Sequence, residues 1–226
     1  IRRGVGMALF SYKTGVWPIS LEIAGARLSL NQDGSVQLQV GATEIGQGAD
    51  TVFSQMAAET LHMDISRVHI VTQQDTDVTP FDTGAYASRQ SFVTGTAVKE
   101  CAQQLKQKIL EYARTLVPGN VDRLELEDGY ILADGKPAIS LEDLAMESYY
   151  SLSNSSVLTA EVSRQVKKNT VASGCCFAEV EVDMKLGKIK VLDIVNVHDS
   201  GTLLNPQLAA MQVHGGMFMG IGYGVS

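Results

Sequence analysis

The residues best placed for chemistry lie in two glycine loops and one late glycine run. The first loop is Gly41-Ala42-Thr43-Glu44-Ile45-Gly46-Gln47-Gly48, between a strand pattern ending at Val40 and a helix pattern starting near Ala49. Glycine permits sharp turns and lets a ligand approach the backbone closely. A helix start offers unpaired N–H groups and the positive end of a dipole, so it suits an anion such as a phosphate. Gln47 adds both a donor and an acceptor. The spacing is not G-x-G-x-x-G, and no Lys-Ser/Thr follows the glycines, so neither the dinucleotide fingerprint nor the P-loop is present. A plain strand-to-helix turn has the same composition, and this loop alone leaves both readings open.

The second loop closes a long polar connection, Gln73–Ala87, of a length that is often functional. It ends in Gly84-Ala85-Tyr86-Ala87 and runs into Ser88-Arg89-Gln90-Ser91. Ser88 reads as the N-cap of the next helix. Arg89, at a helix start behind a glycine loop, is either a ligand donor or half of a surface ion pair. The late run is Asn205-Pro206, with Pro near the first helical turn, followed by Gln212-Val213-His214-Gly215-Gly216. Elsewhere the signals are structural. His62, His69, His198 and His214 show no metal-ligand spacing. Cys175 and Cys176, adjacent in a strand pattern, face opposite sides and read as core packing. Glu179, Glu181 and Asp183 alternate as a solvated face. Gly-x-Ser-x-Gly is absent, and the residues by themselves make no complete catalytic set.

The elements that position these loops form an α+β pattern of mixed sheets packed with helices. Gly4–Phe10 is a short strand. Ala26–Leu30 and Ser35–Val40 form a hairpin across Asn31-Gln32-Asp33-Gly34. A helix over Ala49–His62 carries Phe53, Met56, Ala57, Thr60 and Leu61 on one face, and a strand over Val68–Thr72 completes an α/β unit. A long helix from Ser88 sets Cys101, Leu105, Ile109, Tyr112 and Leu116 along one face and stops at Pro118-Gly119. Leu124–Leu132 is a small hairpin, Ser140 caps a short helix over Leu141–Ser148, and Tyr149–Ser156 is a linker or exposed loop. Ala172–Met184 and Lys188–His198 are two well-buried strands.

Composition bounds the function. The 226 residues are 45% apolar and 19% charged, which fits a globular domain or two lobes. A net charge of -7 argues against nucleic acid or an anionic membrane as partner. No apolar run approaches the ~18 residues of a membrane span, and no signal peptide opens the chain. The three cysteines, two of them adjacent, do not suit a secreted disulfide framework; a cytoplasmic protein is expected. The chain opens at Ile1 without methionine, and Met217–Tyr223 reads as core just before Ser226, so a fragment of a larger polypeptide is expected.

Taken together, the loops are specific. Gly41–Gly48 resembles the molybdopterin-binding loop of the xanthine dehydrogenase and aldehyde oxidase family of molybdenum hydroxylases. Gly84–Ser91 resembles that family's second cofactor loop. Asn205-Pro206, with Gln212–Gly216 and Gly220-Ile221-Gly222, resembles its third. The likeness is greatest to the molybdenum-binding subunit of bacterial xanthine dehydrogenases. It implies a molybdopterin-binding lobe over 1–148 with the first two loops, and a second lobe over 149–226 with the third. It implies that Gln47 bonds the cofactor near the metal, with Gly46 and Gly48 offering backbone, and that Ala87 lies beside the molybdenum through its backbone. Ser88, Arg89, Gln90 and Gln212 are implied to bind the pterin or its phosphate, and the bacterial likeness points to the cytosine dinucleotide form.

The implied reaction is hydroxylation of an electron-poor carbon of a purine such as hypoxanthine or xanthine. Its oxygen comes from water, and its electrons leave through Fe–S and FAD partner subunits. An aldehyde or aromatic-thioester substrate is the alternative within the family, and a non-catalytic cofactor-binding or assembly module the alternative outside catalysis. The family's catalytic glutamate, in a Gly-Glu context near the C-terminus, has no match here, nor have its upstream substrate-orienting arginine and molybdenum-proximal glutamine. The 226-residue chain alone, loaded with cofactor, is therefore expected not to hydroxylate hypoxanthine; measurable uric acid or xanthine formation would refute this.

Overall fold

Alternating apolar residues set the central sheet. In β2 (Ile23–Leu30), Ala26, Leu28 and Leu30 face the core, and in β3 (Val36–Val40) Val36, Leu38 and Val40 do so. The antiparallel register pairs them directly: Ala26 with Val40, Leu28 with Leu38, Leu30 with Val36. A one-residue slip would turn both apolar sets to the wrong face, so burial itself fixes the register. The turn between the strands places Gly34 at φ 73, in the left-handed region open to glycine.

This sheet belongs to one of two compact units. The computed structural model describes residues 1–225; one unit is Trp17–Lys168, the other Ile1–Val16 together with the chain from Asn169 onward. In the larger unit, α1 (Ala49–Leu61) carries the chain from β3 to β4 (Val68–Ile70), which runs parallel to β3. That is the expected α/β unit. On the other side of β2 lies β8 (Thr159–Gln165), giving a four-stranded sheet in the order β4-β3-β2-β8. Sequence reading assigned no element to β8, whose polar residues at alternate positions face outward.

The long helix α2 (Gln90–Leu116) packs on β2 and β8 through Val93, Ala97, Val98, Cys101, Leu105, Ile109 and Tyr112, all buried. It starts later than expected. Ser88 is not its N-cap: Ser88 has φ 52, and the cap position is Arg89, with no side-chain capping bond. β5 (Leu124–Glu127), β6 (Tyr130–Ala133) and β7 (Lys136–Ser140) form a second sheet, one strand larger than the expected hairpin. α3 (Leu141–Tyr150) follows, capped as expected by Ser140, whose Oγ accepts from the Asp143 N–H at 3.0 Å.

The smaller unit is an antiparallel sheet in the order β1-β9-β10, formed by β1 (Arg2–Lys13), β9 (Val171–Asp183) and β10 (Lys188–Asp199), with α4 (Pro206–Val225) after it. The Asn205 carboxamide caps α4 by accepting from the Leu208 N–H at 3.0 Å. Two expectations need correction. β9 and β10 are not well buried: Val171, Phe177, Ile189, Val195 and Val197 are all exposed. Nor does Met217–Tyr223 form core, since α4 has no buried residue. Three strands and one helix are too few to cover both faces of a sheet. For the same reason Cys175 and Cys176 are half-buried rather than packed in a core. The compact units part between Val16 and Trp17 and between Lys168 and Asn169, because β8 is held by β2 while β1 pairs with β9. Among the described residues, no helix is long and apolar enough to cross a membrane.

Cys101 reports on the larger core. It is fully buried, its Sγ donates to the carbonyls of Ala160 at 3.2 Å and Ala26 at 3.4 Å, and burial pushes its pKa up to about 11. A thiolate is needed for attack on a reagent. At mildly alkaline pH, alkylation followed by peptide mass analysis should find Cys175 and Cys176 modified and Cys101 intact until denaturant is added. Native labelling of Cys101 at a free-thiol rate would contradict this packing.

Candidate functional site

The second loop is held from beneath by Arg89. Its side chain is fully buried, although arginine is among the residues least often found inside. Nε donates to Glu22 at 2.5 Å, one Nη to Asp82 at 2.6 Å and to the Gly84 carbonyl at 2.9 Å, and the other Nη to the Ile23 carbonyl at 2.7 Å. Burial works against the charged guanidinium. Its hydrogen bonds to Glu22 and Asp82, and their charges, outweigh that and hold its pKa above the usual arginine value. Asp82 also accepts from the Gly84 N–H at 2.8 Å and the Thr94 hydroxyl at 2.8 Å. The Arg89 side chain is therefore committed to the interior. It fixes both ends of the 82–89 segment and makes an ion pair, but a buried one rather than the surface pair that the sequence suggested.

What that segment presents is unusual backbone. Ala87 and Ser88 sit consecutively at φ 48 and 52. For residues with a Cβ this region costs roughly 1–2 kcal/mol each, so it persists only where neighbouring contacts over-determine it. Ala87 is half-buried and Ser88 exposed.

The first loop is wound around a carboxylate. Glu44 Oε1 accepts from the N–H groups of Gly46 at 2.7 Å and Gly48 at 3.0 Å, and Oε2 from Asp50 at 3.1 Å. The expected unpaired N–H groups at the start of α1 are thus already bonded. Burial pushes the Glu44 carboxyl up, but the N–H groups of Asp50, Gly48, Gly46 and Ala49 outweigh it and hold its pKa below the usual glutamate value. Asp50 is raised instead, by burial and then by the Glu44 charge. Gly46 and Gly48 have φ 97 and 85, and a Cβ on Gly46 would meet open space.

Amides join the two loops. Gln47 Nε2 donates to Gln90 Oε1 at 2.7 Å and to the Thr43 carbonyl at 3.0 Å, while its Oε1 accepts from the Ile45 N–H at 2.7 Å. Gln90 Nε2 returns a bond to the Thr43 carbonyl at 3.3 Å. Thr43 Oγ1 donates to Gln74 Oε1 at 2.8 Å, and Gln74 Nε2 donates to the Ala42 carbonyl at 2.5 Å. Backbone contact supports this network: a Cβ on Gly41 would collide with the Pro80 carbonyl oxygen and press on Asp82. Gln47 thus meets Gln90, and Gly46, Gly48, Ala87, Ser88 and Arg89 lie with them in the larger unit. Gln212 lies exposed on α4 in the smaller unit. Glu22, Glu44 and Gln74 escaped sequence reading. Glu44 alone had a local signal, an acidic residue just ahead of a helix. Among the described residues no cluster of His, Cys, Asp or Glu is arranged to hold a metal ion.

The family model of the molybdopterin cofactor-binding domain matches residues 1–226. The chain belongs to this molybdopterin-binding family. It is 51% identical over 226 residues to a putative xanthine dehydrogenase molybdenum-binding subunit of Escherichia coli, covering 99% of this chain and 30% of that protein. It is 31% identical to a probable hypoxanthine oxidase of the same organism, over 99% of this chain and 23% of the relative. Among solved structures, quinoline 2-oxidoreductase from Pseudomonas putida 86 superimposes with a TM-score of 0.82 at 24% identity, covering 95% of this chain and 29% of that one, a likeness of fold. A Cu,Mo-CO dehydrogenase gives 0.80 at 26% identity, over 95% and 28%. The α+β family domain is the fold expected from sequence, and the chain spans under a third of the length of these relatives.

Two outcomes follow from the site's charges. Removing one partner of a buried ion pair costs about 3–5 kcal/mol, so Arg89→Ala should lower unfolding free energy by that order in urea titrations; a loss inside experimental error would refute the clamp. For Glu44, a depressed folded pKa means its contribution is complete above the usual glutamate pKa and is lost as pH falls through the folded value. Asp50, raised, runs the opposite way and loses its contribution as pH rises. Hydrogen exchange of the 44–50 amides, corrected for intrinsic pH dependence, should therefore lose protection in acid below the ordinary glutamate range.

Proposed function

We propose that this chain is the part of a molybdenum hydroxylase that holds molybdopterin, within an enzyme that hydroxylates a purine. The observation that carries this reading is the Gln47–Gln90 bond, which brings the first two cofactor-type loops together as one surface. The chain's 51% identity to a protein named as a xanthine dehydrogenase molybdenum-binding subunit, and its 31% identity to a probable hypoxanthine oxidase, support the purine.

The donor set fits the group. A pterin dithiolene supplies its own sulfur ligands to molybdenum, so the protein need offer only hydrogen bonds and close backbone approach. These loops offer the second lone pair of Gln47 Oε1 and the second Nε2–H of Gln90, both amides being otherwise bonded to each other, Ile45 and Thr43, with open space at Gly46 and left-handed backbone at Ala87 and Ser88. In this reading Gln47 bonds the cofactor close to the metal, Gly46 and Gly48 give it backbone access, Ala87 leaves room beside the metal, and Ser88 and Gln90 bond the pterin. Arg89 contributes by fixing Ala87 and Ser88 from below, its guanidinium being spent on Glu22, Asp82 and two carbonyls rather than on the cofactor. Gln212 is assigned to the pterin by its motif. When bound, the group supplies the two-electron redox chemistry, with water as the oxygen source; the chain's residues orient it and exclude alternatives. The cytosine dinucleotide form, Fe–S and FAD partner subunits and a cytoplasmic setting complete the proposal.

The test is molybdenum and released pterin in the natural polypeptide purified from its own cells, followed by hypoxanthine turnover. Stoichiometric metal and pterin are expected. Gln47→Ala should cost on the order of 10–100-fold in activity or metal retention, as loss of an outer-shell partner does. Absence of metal and pterin, under conditions that load a relative, would overturn the reading.

A further inference from the structure

We infer that Glu44 is a built-in anion: its carboxylate fills the N–H cradle of the first loop, excludes a phosphate from the start of α1, and positions Gln47. An N–H cradle at a helix start ordinarily suits a phosphate because several donors converge beside the positive end of the helix dipole. Here the donors converge on Glu44. Gly46 and Gly48 share Oε1, and Asp50 takes Oε2. Gly48, at the cap position of α1, offers no side-chain capping bond, and Glu44 supplies that acceptor from outside the helix. The donors belong to residues 2, 4 and 6 positions further along the chain. The carboxylate is therefore tethered at its site, with a high effective concentration that a free anion must beat.

Charge acts in the same direction. Asp50 stands in the first turn of α1, so two carboxylates face any anion that approaches. The two N–H groups that Oε1 binds flank Gln47 in sequence. Gly46 and Gly48 both need positive φ to aim them inward, and this leaves the Gln47 side chain directed at Gln90 and the Thr43 carbonyl. Glu44 is thus a positioning residue: it touches no ligand, and it sets where Gln47 points. The first loop then meets its ligand with a neutral amide, and any phosphate of that ligand must be held elsewhere. The exclusion rests on the loop's own N–H groups and needs no cofactor; only the ligand of Gln47 rests on the reading above.

Hydrogen–deuterium exchange on the cofactor-free protein tests it, with inorganic phosphate as the probe and chloride at equal ionic strength as the control. In the native protein, exchange across residues 45–50 should not respond to phosphate. In Glu44→Ala the same amides should exchange faster by roughly tenfold or more, the scale of a lost charge-assisted hydrogen bond, and millimolar phosphate should restore protection saturably. Glu44→Gln retains an acceptor for Gly46 and Gly48, so it should keep protection there and lose it at Asp50. Saturable protection of the native loop by phosphate would overturn the inference. So would unchanged exchange in both variants. Should Glu44→Ala not fold, the native titration and Glu44→Gln decide alone. Because no cofactor is present, failure of the hydroxylase reading leaves this result unaffected.

Discussion

A buried positive charge with two negative partners is the constraint on which the loop surface depends. Arg89 could not lie fully inside the larger unit alone; Glu22 and Asp82, both nearly inaccessible, make its burial tolerable. They come from distant points of the chain. Glu22 precedes β2, Asp82 stands within the long connection, and Arg89 caps α2. One guanidinium thus joins the sheet, the loop and the helix. A planar fork suits this task because it bonds several acceptors at fixed angles, which a lysine ammonium does not. The consecutive left-handed residues Ala87 and Ser88 stand directly on this clamp, and their backbone strain is tolerable because the clamp fixes both sides.

The first loop solves a similar problem with the opposite charge. Its two glycines turn N–H groups toward one point, and Glu44 occupies that point. Between the charged centres, the contacts are neutral: Gln47 to Gln90, Gln74 to the Ala42 carbonyl, and Thr43 to all three glutamines. The order is physically sensible. The Arg89 clamp is buried beneath the second loop, Glu44 is partly buried within the first, and a layer of uncharged amides joins the two. Membership of the molybdopterin-binding family agrees with such a layer, since a cofactor that carries its own metal ligands asks the protein for hydrogen bonds and shape.

Sequence reading succeeded where one residue's neighbours determine its state. The β2–β3 hairpin, α1, α2 and the Ser140 cap follow from local periodicity and capping chemistry. The ordered loops, read together, pointed to the family. It failed where distant pairing decides. β8 has little apolar content of its own and becomes a strand because β2 offers a free edge. Glu22 lies 67 positions from Arg89, so nothing nearby marks it as a partner. Ser88 looked like a cap because serine usually is one, and the Arg89 clamp instead pulls it into left-handed backbone. Phosphate affinity was one of two readings left open at Gly41–Gly48, because glycines before a helix suggest vacant donors. The residue that fills them, Glu44, was in plain view and was not weighed.

The Gln47–Gln90 bond has a consequence beyond holding two loops together. Both groups are neutral at every physiological pH, so their attraction is hardly screened by salt and does not titrate. A carboxylate or ammonium in the same place would feel the full Coulomb force of any unit change in charge nearby, about 4 kcal/mol at 4 Å near a protein surface. An amide responds only through its dipole and can stay where it is. A redox group seated on this surface could therefore gain or lose electrons with little rearrangement of the residues that orient it. Low reorganisation in response to changing charge is the property an electron-transferring site needs, and under the proposed function glutamine on both loops would supply it.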